Sequence, residues 1–296
     1  MKVYLFAIFR KLVRTLSGRG LGLTKIPGVD PAYKKLYGLL RPKDIVLVEV
    51  QGSKMYVKPD DSGISAAIIN QGVWEPQETA LFYALIKPRM TVLDVGANMG
   101  YYTLIAAKLV GSAGRAYAFE PDPENCQLIV KSVQLNGYNN VSVFNNAVGD
   151  RRGRVKLHLE STNWGHSLSP RNINNPAGSI EVELITLDDL YQAGKLGDHI
   201  HFIKLDVQGA EELVLKGARM IIQEQRPVAV MELEPARLNN MGSDALNLLH
   251  WFEHEGYSIR VIEKDIDVPK SATPEMITFA AEKMGVLNVL LTPRTQ

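Results

Sequence analysis

A single thirteen-residue run constrains this chain most: Thr91-Val-Leu-Asp94-Val-Gly96-Ala-Asn98-Met-Gly100-Tyr-Tyr-Thr103. An apolar strand ends in a glycine turn, and the turn opens directly into a helix. Glycines at 96 and 100 let the backbone approach a ligand closely, and the start of the helix presents free N–H groups. Twenty residues beyond Gly100 a second strand ends in Phe119-Glu120-Pro121. An acidic group there is placed to accept hydrogen bonds from ribose hydroxyls. Glycine turn, helix and acidic strand end together indicate an adenosine-containing ligand. Dinucleotide sites use G-x-G-x-x-G, because a pyrophosphate must sit on the helix N-terminus. The spacing here is G-x-x-x-G, and Asp94 precedes the turn. A carboxylate at that point repels a pyrophosphate and suits the ammonium of a methionine moiety. S-adenosyl-L-methionine is therefore favoured over NAD. An NAD-dependent oxidoreductase is the first rival reading, and a non-catalytic module binding an adenosine ligand is the second; Asp94 and Glu120 count against the latter.

The texture around this run is that of an open α/β sheet. Strand-length apolar runs lie at Val92–Val95, Ala116–Phe119, Val141–Phe144, Ile200–Leu205 and Val228–Met231, with helical stretches at Tyr102–Leu109 and Pro123–Asn136. That βαβαβ order predicts a parallel sheet with helices on both faces. Arg154–Leu159 and Ile180–Ile185 read as antiparallel strands inserted before the fourth core strand, and Tyr257–Ile262 with Leu287–Leu291 as a terminal hairpin closing the sheet. The expected fold is α/β and Rossmann-like: a mostly parallel seven-stranded sheet with a terminal antiparallel hairpin. Residues 71–296 form its domain and 1–70 an N-terminal extension. In that extension Leu5, Ile8, Phe9, Leu12, Val13 and Leu16 form a helical stripe opposite Arg10, Lys11 and Arg14. Gly18–Pro27 reads as a linker, and Ile45–Val50 and Lys54–Lys58 as a hairpin.

Charge narrows the partners. Lys and Arg total 33 against 32 Asp and Glu, so the basic excess that tracks a phosphate backbone is missing and no nucleic acid is expected. The lone cysteine, Cys126, permits neither an intrachain disulfide nor a multi-cysteine zinc site. No apolar run approaches the ~20 residues that span a bilayer. The Val3–Phe9 run is closed by Arg10 and Lys11, with no cleavage site following. The chain is expected in the cytoplasm, as a monomer or homo-oligomer. Residues 2–17 either pack their apolar stripe on the body of the protein, with the basic face solvated, or make a peripheral membrane or partner contact.

Ligands of such sheets bind at the C-terminal ends of the strands. The fourth strand ends in Lys204-Leu-Asp206, whose two charged side chains share one side of it. They form either a mutually satisfied ion pair or part of an active site, and Asp206 is the leading catalytic candidate. Glu232 and Glu234 close the fifth strand, and one of them is expected at the same cleft. His166, in Asn163-Trp164-Gly165-His166-Ser167, suits a loop folding over a cleft.

Several segments resemble the FkbM-type S-adenosylmethionine-dependent methyltransferases: Asp94-Val-Gly-Ala-Asn98-Met-Gly100-Tyr-Tyr-Thr103, Phe119-Glu120-Pro121-Asp-Pro-Glu-Asn125, Leu135-Asn136 and Lys204-Leu-Asp206-Val-Gln-Gly209-Ala-Glu211. Gly72-Val-Trp74-Glu75-Pro76-Gln-Glu78-Thr79 and Gly165-His166-Ser167-Leu168 resemble that family too, and the likeness runs from about Gly72 to Leu215. It carries Gln208 where glutamate is the more usual residue. The resemblance implies a class I methyltransferase fold and O-methylation of a hydroxyl on a small molecule, sugar, glycan or secondary metabolite. By the same resemblance Asp94, Gly96, Asn98, Gly100 and Thr103 serve the methionine end of the cofactor. Glu120 and Pro121 then serve the ribose, Asn146 and Ala147 the adenine, and Glu78 and Thr79 close the site. His166 gains weight as a catalytic base beside Asp206, Lys204 and Glu232. Asp206, Glu232 and His166 could together hold a divalent ion, but their spacing is no local metal motif and none is expected.

Overall fold

The computed structural model describes residues 35, 38–39, 44–59, 64–162, 165–262, 269 and 272–294. The stripe at 2–17 and the linker at 18–27 lie outside these, as does Trp164. Among the described residues the apolar runs assemble into one seven-stranded sheet. Its strand β3 (Thr91–Val95), the middle one of the five parallel strands, is buried at all five positions, as expected where helices cover both faces. Beside it lie β4 (Arg115–Phe119) and β5 (Val141–Phe144) on one side, and β9 (Phe202–Leu205) and β10 (Val228–Leu233) on the other. All four neighbouring pairs among these strands are parallel. The chain thus builds outward from β3 and then returns to its other side. The connections that leave the C-terminal ends of β3 and β9 run to opposite sides at that switch point, where open α/β sheets hold their ligands.

The closing hairpin is β11 (Tyr257–Val261) with β12 (Leu287–Pro293), and β12 inserts antiparallel between β10 and β11. The inserted pair is also present: β7 (Gly153–Glu160) and β8 (Pro176–Ile185) run antiparallel, with the two-residue β6 (Ala147–Val148) parallel to β8.

One sheet face carries α1 (Ile64–Gln71), α2 (Pro76–Leu85), α3 (Tyr101–Val110) and α4 (Pro123–Leu135). The other carries α5 (Leu187–Gln192), α6 (Glu211–Lys216), α7 (Pro235–Asn240), α8 (Ala245–His254) and α9 (Pro274–Met284). The early hairpin, β1 (Val46–Val50) with β2 (Ser53–Val57), turns at Gln51 and Gly52, both at positive φ. Its Val48, Val50, Met55 and Val57 are buried in the same core as Leu104 and Leu128 of the adjoining helices. Its edge is tied to α4, with the Lys54 N–H on Asn136 Oδ1 at 2.8 Å and the Tyr56 N–H on Ser132 Oγ at 3.0 Å. In packing, this hairpin is continuous with the sheet domain.

Candidate active site

The glycine turn is shaped by the strand beside it. Gly96 has φ +84°, and a Cβ placed there would lie 1.8 Å from the Asp206 carbonyl oxygen, so no larger residue fits. The Gly96 and Ala97 N–H groups each donate to the Phe119 carbonyl at 3.0 Å. Asn98, at φ +52°, donates its N–H to Glu120 Oε2 at 2.7 Å, and the Asp122 N–H donates to Oε1 at 2.9 Å. Glu120 is thereby fixed against the turn. Burial pushes its carboxyl up to about 8, against the pull of those N–H donors.

Asp94 Oδ2 accepts from Thr103 Oγ1 at 2.5 Å, while Oδ1 is buried without a hydrogen-bond partner. Burial, opposed by Lys204 and Thr103, raises the Asp94 carboxyl. A buried acceptor with nothing donating to it costs about 1–3 kcal/mol, and an ammonium relieves that cost. The donor set thus fits the amino-acid end of S-adenosylmethionine.

These residues line one cavity of about 650 Å³, together with Pro121, Asn146 and Ala147. Thr103 braces Asp94 from behind the wall. Gly100 also stands behind it, where a Cβ would meet Ile129 at 3.0 Å. Glu78 and Thr79 sit further back and do not line the cavity. Thr79 Oγ1 donates to the Trp74 carbonyl at 2.7 Å. Burial and the neighbouring Glu75, opposed by Lys204, push Glu78 well above the carboxylate range. Trp74 and Glu75 form the wall at this point.

The far end of the cavity is a charged floor. Lys204, buried, places Nζ 2.9 Å from Asp206 Oδ2 and 4.9 Å from the Tyr102 ring centre. Burial alone would lower this lysine, but Asp206, Glu78, Glu75 and Asp94 outweigh it and hold it charged. Burial raises Asp206, and Lys204 with Gln208 more than reverses that, so its carboxyl stays below the ordinary value. Gln208, at φ +56°, donates Nε2 to Asp206 Oδ1 at 2.8 Å and to Glu232 Oε2 at 3.1 Å. Burial, then the charges of Asp206 and Glu211, drive Glu232 well above the carboxylate range. The floor therefore holds two carboxyls shifted in opposite directions and joined by an amide. Glu234 is engaged elsewhere, 2.6 Å from Arg237 Nε.

His166 does line the cavity, but its ring is committed. Nδ1 accepts the Glu160 N–H at 3.0 Å, which leaves the proton on Nε2, 3.3 Å from Asp122 Oδ2. In that tautomer it fastens the loop to the cap of α4 and offers no free lone pair. Among the described residues no three His, Cys, Asp or Glu side chains converge as a metal-ligand set. Glu75, Tyr102, Gln208 and Arg237 also face the cavity and were not expected there. Glu75, Tyr102 and Gln208 lie in the segments that resemble the family, Gln208 two residues beyond Asp206, and Arg237 left no local signal.

The model of the methyltransferase FkbM domain matches residues 94–259, more than half of the chain. The chain belongs to the FkbM methyltransferase family. That family is one of S-adenosylmethionine-dependent methyltransferases, which tells against the oxidoreductase reading. Similar curated proteins include a protein-L-isoaspartate O-methyltransferase of Methanococcoides burtonii, 33% identical over 25% of this chain and 37% of that one. Protein-L-isoaspartate O-methyltransferase 1 of Arabidopsis thaliana is 30% identical over 42% of this chain and 51% of that one. The chain thus spans about half or less of the length of these relatives. Among solved structures, the FkbM methyltransferase of Methylobacillus flagellatus is similar at 17% identity and a TM-score of 0.44, over 72% of this chain and 50% of that one.

Proposed function

We propose that this FkbM methyltransferase transfers a methyl group to a hydroxyl of a small molecule, sugar or glycan. The observation that carries this reading is the floor: an ionised Asp206, held by Lys204 and Gln208, faces the same cavity as Asp94 and Glu120. When bound, S-adenosylmethionine supplies a methyl group on a good leaving group. Asp94 and the glycine turn seat its amino-acid end, Glu120 its ribose, and Asn146 with Ala147 its adenine. Asp206 accepts the hydrogen bond of the incoming hydroxyl, aligns its oxygen, and takes the proton as the C–O bond forms. Lys204 favours the ionised form of that carboxyl, while burial and Asp206 disfavour a second negative charge at Glu232. Alignment of this kind supplies most of what such a displacement requires.

Methylation of a carboxylate, the reaction named for the isoaspartate relatives, is the alternative. The cavity argues against it at Asp206, whose carboxyl Lys204 and Gln208 hold below its ordinary value. An anionic acceptor would meet that charge, whereas a neutral hydroxyl donates to it. The test is transfer of labelled methyl from S-adenosylmethionine to panels of alcohols, sugars and isoaspartyl peptides. Hydroxyl compounds are expected to be labelled, and Asp206→Asn to lower kcat by ~10²–10⁴-fold with the cofactor Kd nearly unchanged. Labelling of isoaspartyl peptides alone would refute the proposal.

A further inference from the structure

Arg237 and Gln208 both face the cavity, and the contacts described so far use only part of each side chain. Arg237 Nε lies 2.6 Å from Glu234 Oε2, and Nη1 donates to the Asn172 carbonyl at 3.4 Å. A guanidinium carries more donors than these, and Nη2 is left over. The Gln208 side chain is oriented by the floor. Its Nε2 donates to Asp206 Oδ1 and Glu232 Oε2; an amide oxygen in that position would meet the charge of Asp206, so Oε1 points the other way. Among the described residues nothing hydrogen-bonds to Arg237 Nη2 or Gln208 Oε1, and neither atom is sealed from solvent. Gly165 marks how close together they lie. A Cβ placed on it would stand 3.9 Å from Nη2 and 3.9 Å from Oε1. Its φ of +88° is a conformation that glycine adopts freely and other residues rarely do. The glycine thus keeps open a space flanked by one unused donor and one unused acceptor. A hydroxyl complements that pair, since it can accept from the guanidinium and donate to the amide oxygen at once. Glu234 offsets the charge of Arg237, so the space suits a neutral hydroxyl better than an anion. It also adjoins the reacting position. Gln208 Nε2 is 2.8 Å from Asp206 Oδ1, and Oε1 belongs to the same amide. One hydrogen bond and one amide group therefore separate the two hydroxyl positions, a gap that hydroxyls on adjacent carbons can span.

Resting on the hydroxyl reading above, we propose that the acceptor is a vicinal diol. One hydroxyl gives its proton to Asp206 and takes the methyl group from the sulfonium, whose S–CH₃ bond breaks as the O–CH₃ bond forms. The neighbouring hydroxyl sits between Arg237 Nη2 and Gln208 Oε1, beside Gly165. Arg237 and Gln208 thereby select the acceptor and fix which of its hydroxyls reacts.

The test is NMR titration of the full-length protein, saturated with S-adenosylhomocysteine, with cyclohexanol, cyclohexane-1,2-diol, cyclohexane-1,4-diol and 2-hydroxycyclohexanecarboxylate. The two diols have the same atoms and differ only in the spacing of their hydroxyls; each is used in its cis and trans forms, and the tighter form of each is compared. The 1,2-diol is expected to bind at least about tenfold more tightly than the 1,4-diol, which is what one hydrogen bond to a charged donor gives. Arg237→Lys keeps a cation beside Glu234 and removes Nη2, so it should bring the two diols level and leave cyclohexanol unchanged. The wild-type comparison needs no variant and decides the matter even where Arg237→Lys does not fold. Equal affinity for the two diols would overturn the proposal. So would tighter binding of the carboxylate than of the 1,2-diol, since Arg237 would then be an anion receptor. Binding is read without turnover, so absence of methyl transfer to every hydroxyl compound would strike the proposed function. Transfer to single alcohols with the two diols equal would strike the diol proposal alone.

Discussion

Replacing Lys204 by methionine keeps the length of the side chain and removes its charge from beneath the cavity. The ammonium is buried, 2.9 Å from Asp206 Oδ2, with Glu78, Glu75 and Asp94 also drawn to it. At that separation and an effective dielectric of ~20, the attraction to Asp206 alone is about 6 kcal/mol. Desolvation offsets part of it, and removing one partner of a buried pair typically costs about 3–5 kcal/mol. The loss should depend on pH. In the wild type the Asp206 carboxyl lies below its ordinary value. It therefore contributes stability above the unfolded pKa of ~3.9, and that contribution disappears as pH falls through the folded value. Without Lys204, burial pushes the same carboxyl upward, so the variant carries a penalty above pH ~4 that protonation relieves. Urea unfolding at pH 7.5 and pH 4.5, with the wild type measured alongside, should show the deficit shrinking by more than half at the lower pH. A deficit under ~1 kcal/mol at pH 7.5, or one equal at both pH values, would mean that desolvation already cancels the pair.

Glu120→Ala should weaken S-adenosylhomocysteine binding through loss of charge-assisted hydrogen bonds, each ~1.5–3 kcal/mol, and calorimetry with an unchanged Kd would remove the ribose assignment. In the wild type, where burial places this carboxyl at about 8, affinity should rise between pH 7 and pH 9 as it ionises and gains acceptor capacity, and Glu120→Gln should abolish that rise. Gly96→Ala should abolish cofactor binding, since its methyl must displace the Asp206 carbonyl lying 1.8 Å away; a variant that binds normally by thermal shift would show that the turn has another shape. His166→Ala should spare kcat far more than Asp206→Asn does, because the ring carries no free lone pair, and a kcat loss of ~10²-fold or more would restore it as a base.

The glycine turn and the acidic strand end beside it were legible in sequence because their constraints are local. Gly96 and Asn98 take positive φ within a single turn, and Glu120 closes the adjacent strand, so residue type and spacing report the geometry directly. The strands were legible for the same reason, with small changes at their ends: β9 starts at Phe202, and β10 continues to Leu233. The acceptor half depends on contacts that are distant in sequence. Gln208 reaches Glu232 only because β9 and β10 are neighbours, and Glu75 meets Tyr102 across 27 positions. The hydrogen-bond partners of His166 were hidden for a similar reason, since Glu160 and Asp122 are set by the loop and by the cap of α4. Some helices were overlooked despite local signals. Asp244 caps α8 by accepting the Asn247 N–H at 2.8 Å, ahead of a Leu248, Leu249 and Phe252 stripe. α5 is only six residues long and buries Leu187 alone, too little for periodicity to register.

Gln208 joins two parts of the molecule that must behave differently during turnover. Its amide holds the two carboxyls of the floor, while its carbonyl accepts from Ser167 Oγ and Asn172 Nδ2, each at 2.9 Å, and so anchors the loop that roofs the cavity. Any opening of that loop wide enough to release a methylated product pulls on the residue that sets the charge beside the reacting oxygen. One residue thus couples the placement of Ser167 and Asn172 to that of the two carboxyls of the floor.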